Sequence, residues 1–151
     1  MEYRKAGMND IDAIVENRIE FVTTIREMQD IESFKARTKA YLKRHITGDD
    51  LVIFLAVEGG QIIASCMACI YETIPRPSCL SGKCADLLNV YTKHDYRRQG
   101  HAEKLIRLLM AEVRKLGAEK MVLSYTEDGY PLYKKLGFQA LEHQMEIKLI
   151  D

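Results

Sequence analysis

The chain has 151 residues, 47% of them hydrophobic, with 22 Lys and Arg against 22 Asp and Glu. That length and apolar content suit one domain with its own core and exclude a wholly disordered chain. The even charge balance excludes attachment to nucleic acid or a membrane through bulk positive charge, although a local basic patch stays open.

The opening residues, MEYRKAGMNDIDAIVENRIE, contain no apolar run of the signal-peptide kind, and no stretch reaches the roughly 18 apolar residues that cross a bilayer. The expectation is a cytosolic protein with no membrane partner and with its cysteines as reduced thiols. EYRKAG reads as a first strand. Asn9 or Asp10 can cap a helix on which Ile11, Ile14, Val15, Ile19 and Val22 follow helical spacing. A second helix is predicted from about Ile31 to Ile46, with Phe34, Tyr41 and Leu42 on its apolar side and Gly48 ending it. LVIFLAVEGGQIIASCMACIYE has the form of a hairpin, two β-rich runs around Gly59-Gly60. TIPRPSCLSGKC, with its prolines and glycine, is a loop, and ADLLNVYT is the next strand.

YTKHDYRRQGHAEKLIRLLMAEVRKLG then joins a polar turn to a long amphipathic helix. Ala102, Leu105, Ile106, Leu109, Val113 and Leu116 form its apolar stripe, and Gly117 stops it. AEKMVLSYT is a further strand, and YPLYKKLG is a short helix with Pro131 in its first turn. FQALEHQMEIKLI is predicted as a last strand, because Met145, Ile147 and Leu149 alternate with Glu146 and Lys148. The order β-α-α-β-β-β-α-β-α-β implies a single mixed α/β sheet with helices packed on it.

Cys66 and Cys69 form a C-x-x-C, a spacing used by metal and redox sites. Here it sits in a strand-like run, where alternation sends the two side chains to opposite faces. Cys79 and Cys84 do not have the spacing of a second ligand pair. Small buried thiols are the simpler reading, and no metal is expected.

The turn RRQGHA carries the functional signal. A helix that starts directly after a strand presents unpaired N–H groups and the positive end of its dipole, which together bind anions. Gly100 lets backbone approach such a ligand without a Cβ in the way, and Arg97 and Arg98 add charge. The chemistry read from these residues is phosphate or pyrophosphate. The sequence has neither a nucleotide P-loop nor a three-glycine dinucleotide fingerprint.

Asp86 to Phe138, with its LLNVYTKHDYRRQGHAEKLIRLLMAEVRKLG and LYKKLGF, resembles the GNAT superfamily of acyl-CoA-dependent N-acyltransferases. Arg97, Gly100 and Ala102 match its R/Q-x-x-G-x-G/A pyrophosphate loop, and Leu132 to Phe138 matches its second signature. The resemblance implies one GNAT-like domain over residues 1–151, a mixed sheet with a splayed parallel strand pair and about four helices. The splayed strands would be Asp86–Thr92 and Met121–Tyr125. Val90, Tyr91 and Thr92 would line the pantetheine arm of acetyl-CoA, and the amides of Arg98, Gln99, Gly100, His101 and Ala102 would hold its pyrophosphate. Tyr133 would protonate the departing thiolate. For the general base Asp86, Glu72 and Glu20 are all candidates, while His94 reads as a surface residue. Two positions depart from the family pattern: Thr126 stands where many relatives carry asparagine, and His101 fills a slot usually aliphatic.

The function implied is acetyl transfer to a primary amine, on a small molecule or a protein. A CoA-binding sensor or interaction module without turnover is the alternative. The sequence does not fix the amine or the oligomeric state, a homodimer being one option. The basic second helix, with Lys35, Arg37, Lys39, Lys43 and Arg44, reads as a solvated face.

Overall fold

The computed structural model describes residues 1–151. In chain order its elements are β1 (Glu2–Lys5), α1 (Ile11–Ile25), α2 (Ile31–His45), β2 (Leu51–Glu58), β3 (Gln61–Glu72), β4 (Lys83–Thr92), α3 (His101–Lys115), β5 (Lys120–Val122) and α4 (Tyr130–Lys135). The five strands lie in sequence order in one sheet. All neighbours are antiparallel except β4 and β5, which are parallel. No helix is long and apolar enough to cross a membrane.

Helices cover both faces of the sheet, which explains why β2 and β3 are nearly continuous apolar runs. Val52 and Ala56 of β2, with Ala64, Cys66, Ala68 and Ile70 of β3, face α3. Leu51, Ile53 and Leu55 of β2, with Met67 of β3, face α1 and α2. The alanines on the α3 side let that helix sit close to the sheet. Leu105, Ile106 and Leu109 of α3 are fully buried there, each worth about 1.5–3 kcal/mol against exposure. Cys66 belongs to the α3 face, while Cys69 packs against the α1–α2 face, where the Tyr41 hydroxyl lies 3.5 Å from its sulfur. The C-x-x-C therefore does not converge. No group of three or more His, Cys, Asp or Glu side chains is arranged to hold a metal ion.

Asp10 begins α1, and its carboxylate is held by the Arg4 guanidinium at 2.8 Å and by the Gly7 amide at 2.8 Å. The Arg4 hydrogen bond is the main reason its pKa lies below the usual carboxylate value. A depressed carboxylate stabilises the fold above its unfolded pKa and loses that contribution as pH falls through the folded value. Asp10→Asn is expected to cost about 1 kcal/mol at neutral pH, because solvent screens a partly exposed pair. The gap from wild type should close in thermal melts as pH falls through the lowered pKa of Asp10, where its carboxyl is itself protonated.

Two boundaries differ from the sequence reading. β4 starts two residues earlier, at Lys83, and β5 is hydrogen-bonded only over Lys120–Val122. The larger correction is the last strand. Residues 139–150 form no strand and make no backbone–backbone hydrogen bond. Alternation marks which side chains share a face, but a strand exists only beside a partner, and this segment has none. Met145, Ile147 and Leu149 are consequently 96%, 81% and 89% exposed.

Candidate active site

The parallel pairing of β4 with β5 covers only Cys84↔Lys120, Ala85↔Met121 and Asp86↔Val122. Beyond Asp86 the two strands part. Leu88, Asn89 and Val90 line one side of the resulting cleft, with Leu123 and Ser124 on the other. The cleft has a volume of about 780 Å³. Asp86, Thr126 and Tyr133 also line it.

The parting coincides with a β-bulge. Against β3, Leu88 pairs with Met67 and Tyr91 with Ser65, so Asn89 and Val90 have no register partner. Asn89 takes a left-handed conformation, φ 53°, which asparagine tolerates better than most residues. A buried polar chain holds it. Asn89 Nδ2 donates to Ser65 Oγ at 3.0 Å, and Ser65 Oγ donates to Asn17 Oδ1 at 2.7 Å. Arg18 Nη1 donates to Asn89 Oδ1 at 3.1 Å, and its guanidinium lies 5.5 Å from the centre of the Phe34 ring. Both helices on that face are thus tied to the bend in β4. Sequence reasoning missed this chain, since no periodicity links residues 17, 18, 65 and 89.

At the end of β4 the backbone turns into α3. Arg98 and Gly100 are both left-handed, with φ 61° and 86°. The amides of Arg98, Gln99 and Gly100 donate to no backbone carbonyl. Those of His101 and Ala102 open the helix, where no earlier carbonyl can accept them. No side chain caps α3. A Cβ built on Gly100 would meet nothing within 4 Å. The loop is therefore a run of free donors beside open space at Gly100, which suits a pyrophosphate. Arg97 turns its Nε back onto the Thr92 carbonyl, 3.0 Å away, and so shapes the loop.

Not every predicted side chain faces the cleft. The Tyr91 ring points to α1, where its hydroxyl donates to Glu20 Oε1 at 3.1 Å and the ring packs on Phe21. His101 is buried beneath β1, with Nδ1 2.7 Å from the Tyr3 hydroxyl. What these two residues present to the ligand side is main chain. His101 fills an aliphatic slot because Tyr3 satisfies one of its ring nitrogens. His94 is exposed, as expected.

Of the three candidate carboxylates, Asp86 alone lines the cleft. Its Oδ1 accepts a hydrogen bond from the Tyr71 hydroxyl at 3.1 Å. Glu20 is engaged by Tyr91 and Lys93, and Glu72 is exposed at the end of β3. Burial pushes the Tyr133 phenol above its ordinary pKa, with Cys66 adding in the same direction, so the group holds its proton at neutral pH. Its ring packs edge-on against Phe138. Gly129 sits so close that a Cβ there would stand 2.8 Å from Tyr133 Cε2.

Three cationic side chains also line the cleft. Arg26 follows α1, Arg76 stands on the strap between β3 and β4, and Lys120 opens β5. None of the three takes part in an ion pair. Arg76 Nε is buried without a partner, and Nη2 reaches only the sulfur of Cys84, at 3.4 Å. The strap also brings the Cys79 and Cys84 sulfurs to 3.3 Å, a contact that their spacing did not suggest.

A bulged, splayed parallel pair that ends at an uncapped helix start is the arrangement that the resemblance to the GNAT superfamily implies. Residues 19–138 match the model of the acetyltransferase (GNAT) family, and the chain belongs to that family. A predicted acetyltransferase from Clostridium acetobutylicum, crystallised with acetyl-CoA, superposes with a TM-score of 0.90 at 28% identity, over 98% of this chain and 96% of that one. A GCN5-related N-acetyltransferase from Ralstonia eutropha JMP134 shares the fold, with a TM-score of 0.85 at 23% identity over 97% of each chain. A glucosamine 6-phosphate N-acetyltransferase of Trypanosoma brucei brucei is 32% identical over 97 residues. That match spans 64% of this chain and 64% of the relative, under two thirds of its length.

Proposed function

We propose that this protein moves the acetyl group of acetyl-CoA to a primary amine that also carries an anionic group. The observation that carries the reading is the splayed β4–β5 pair, which opens at Asp86 and leads to the free amides before α3. The amides of Arg98 to Ala102 would receive the pyrophosphate. Main chain at Val90, Tyr91 and Thr92 would receive the pantetheine arm, placing the thioester between Asp86 and Tyr133.

The amine nitrogen attacks the thioester carbonyl carbon, the C–N bond forms and the C–S bond breaks. Asp86 accepts the proton that the amine gives up. Tyr133 delivers a proton to the thiolate and regains one from solvent, so the products are the amide and free CoA. A phenol held protonated by burial suits that role. If Tyr133 acts there, Gly129→Ala should crowd its ring and lower kcat about tenfold, with CoA affinity unchanged by calorimetry.

The acceptor class follows from the unpaired cations. Arg26, Arg76 and Lys120 line the same cleft as Asp86, so an acceptor carrying both an ammonium and an anionic group meets both signs there. The Trypanosoma relative is named for a phosphorylated amino sugar, which has this pattern. A reduced compartment such as the cytoplasm suits the four free cysteines. The test is CoA release over a panel of amines with matched neutral, carboxylated and phosphorylated members. Anionic members should lead by tenfold or more in kcat/KM, and Arg76→Gln should remove that preference while leaving the KM for acetyl-CoA unchanged. Equal rates across the panel would refute the acceptor assignment. No thiol release from any amine would refute the transferase reading and leave a CoA-binding module.

A further inference from the structure

The strap between β3 and β4, residues 73–82, is held to the sheet largely through sulfur. Its backbone hydrogen bonds stay within the strap, joining Thr73 to Gly82, Arg76 to Cys79 in both directions, and Gly82 to Cys79. Cys79 is its one buried side chain, while Ile74 and Leu80 stand 83% and 74% exposed. The Cys79 thiol lies 3.3 Å from the Cys84 sulfur and donates to the Lys83 carbonyl at 3.4 Å. Arg76 Nη2 reaches the Cys84 sulfur at 3.4 Å. Ser81 adds an amide bond to Glu119 at 3.4 Å and accepts one from the Lys83 amide at 3.1 Å.

We infer that Cys79 and Cys84 are a reversible dithiol–disulfide site whose oxidation pins this strap, with Arg76, over the acceptor end of the cleft. Ala85 and Leu87 face α3, so alternation puts Cys84 on the same side of β4 as Asp86. Two backbone hydrogen bonds bridge Arg76 to Cys79, so fixing Cys79 fixes Arg76 as well. Cys66 and Cys69 lie on opposite faces of the sheet and cannot pair with each other.

The oxidant is a low-molecular-weight disulfide of the glutathione kind. One thiolate of the pair attacks it, forming a mixed disulfide and releasing one small thiol. The second thiolate then displaces the other small thiol and closes the Cys79–Cys84 bond. Two protein thiols are oxidised, one small disulfide is reduced to two thiols, and the two protons end on those thiols. Burial pushes the Cys79 thiol above its ordinary pKa, so the pair is quiet under a closed strap and exchanges when the strap opens. In a reducing compartment such a pair rests as thiols and forms its bond transiently.

A pinned strap holds Arg76 in place before the acceptor arrives, which cuts the ordering cost of binding. This consequence rests on the acceptor reading above, in which Arg76 receives the anion. The oxidised protein should show a KM for an anionic amine lower by about three- to tenfold, with the KM for acetyl-CoA unchanged.

The test incubates the full chain with oxidised or reduced glutathione, quenches with acid and titrates thiols in denaturant. The oxidised sample should keep two of its four thiols, and dithiothreitol should restore the rest. Peptide mapping should place the bond between Cys79 and Cys84. Hydrogen exchange at the Arg76 and Cys79 amides should slow in the oxidised protein. Cys79→Ala and Cys84→Ala, each checked by thermal melt, should remove both that slowing and the shift in KM. Neither cysteine takes part in the transfer chemistry. Four thiols retained under oxidised glutathione, or a bond that involves Cys66 or Cys69, would overturn the site. So would a Cys79–Cys84 bond that leaves exchange of the strap unchanged. An acceptor KM that ignores the bond, in a protein that still prefers anionic amines, would overturn the link to the acceptor. Thiol titration and exchange need no turnover, so failure of the acceptor reading would leave the test of the site itself intact.

Discussion

Gly100→Val is expected to abolish most of the affinity for CoA, raising Kd by about 100-fold or more, roughly 2.7 kcal/mol. Two effects add. Gly100 sits at φ 86°, where a β-branched residue is strained by about 1–3 kcal/mol. Its new side chain would also project into the open space above the free amides. Arg97→Ala and Arg98→Ala leave those amides in place and should each cost only a few-fold. Isothermal titration with CoA separates the two behaviours, and a thermal melt of the valine variant checks that the fold survives. A valine variant that binds like wild type would show that the pyrophosphate lies elsewhere.

Tyr133→Phe is expected to lower kcat by about 10- to 100-fold while CoA affinity stays near wild type. The substitution keeps the ring, its edge-on packing against Phe138 and its closeness to Gly129, and removes only the hydroxyl with its proton. A thiolate is a tolerable leaving group without help, which is why the lower end of the range is included. Steady-state kinetics with an anionic amine, beside CoA titration on the same preparations, gives both numbers. Unchanged kcat would return Tyr133 to packing alone. A raised Kd with unchanged kcat would make it a contact to the acetyl-CoA itself.

The parts of this fold that follow from local chemistry could be read from the sequence. The α3 stripe, the Gly59-Gly60 hairpin and the start of α3 after Gly100 each rest on residues close together in the chain, and all appear in the structure. The opposite facing of Cys66 and Cys69 followed from alternation alone. Features that depend on distant residues could not be read this way. The bulge at Asn89 is held by Asn17, Arg18 and Ser65, and nothing in LLNVYT marks where its pairing slips. The approach of Arg76 to Cys84, and of Cys79 to Cys84, is made by the folded strap. Asp86 could not be separated from Glu20 and Glu72 until the splay put it alone on the cleft wall. The final strand failed for a related reason: its pattern is strand-like, but a pattern supplies no partner.

The central claim is that acetyl-CoA binds along the parted β4–β5 pair with its phosphates at the α3 start, and a crystal structure of the protein with CoA tests it most directly. The account predicts pyrophosphate oxygens within hydrogen-bonding reach of the amides of Arg98 to Ala102. The arm should lie between Val90–Thr92 and Leu123–Tyr125, with the sulfur facing Tyr133. Phosphates held away from that loop, or a sulfur turned from Tyr133 and Asp86, would contradict it.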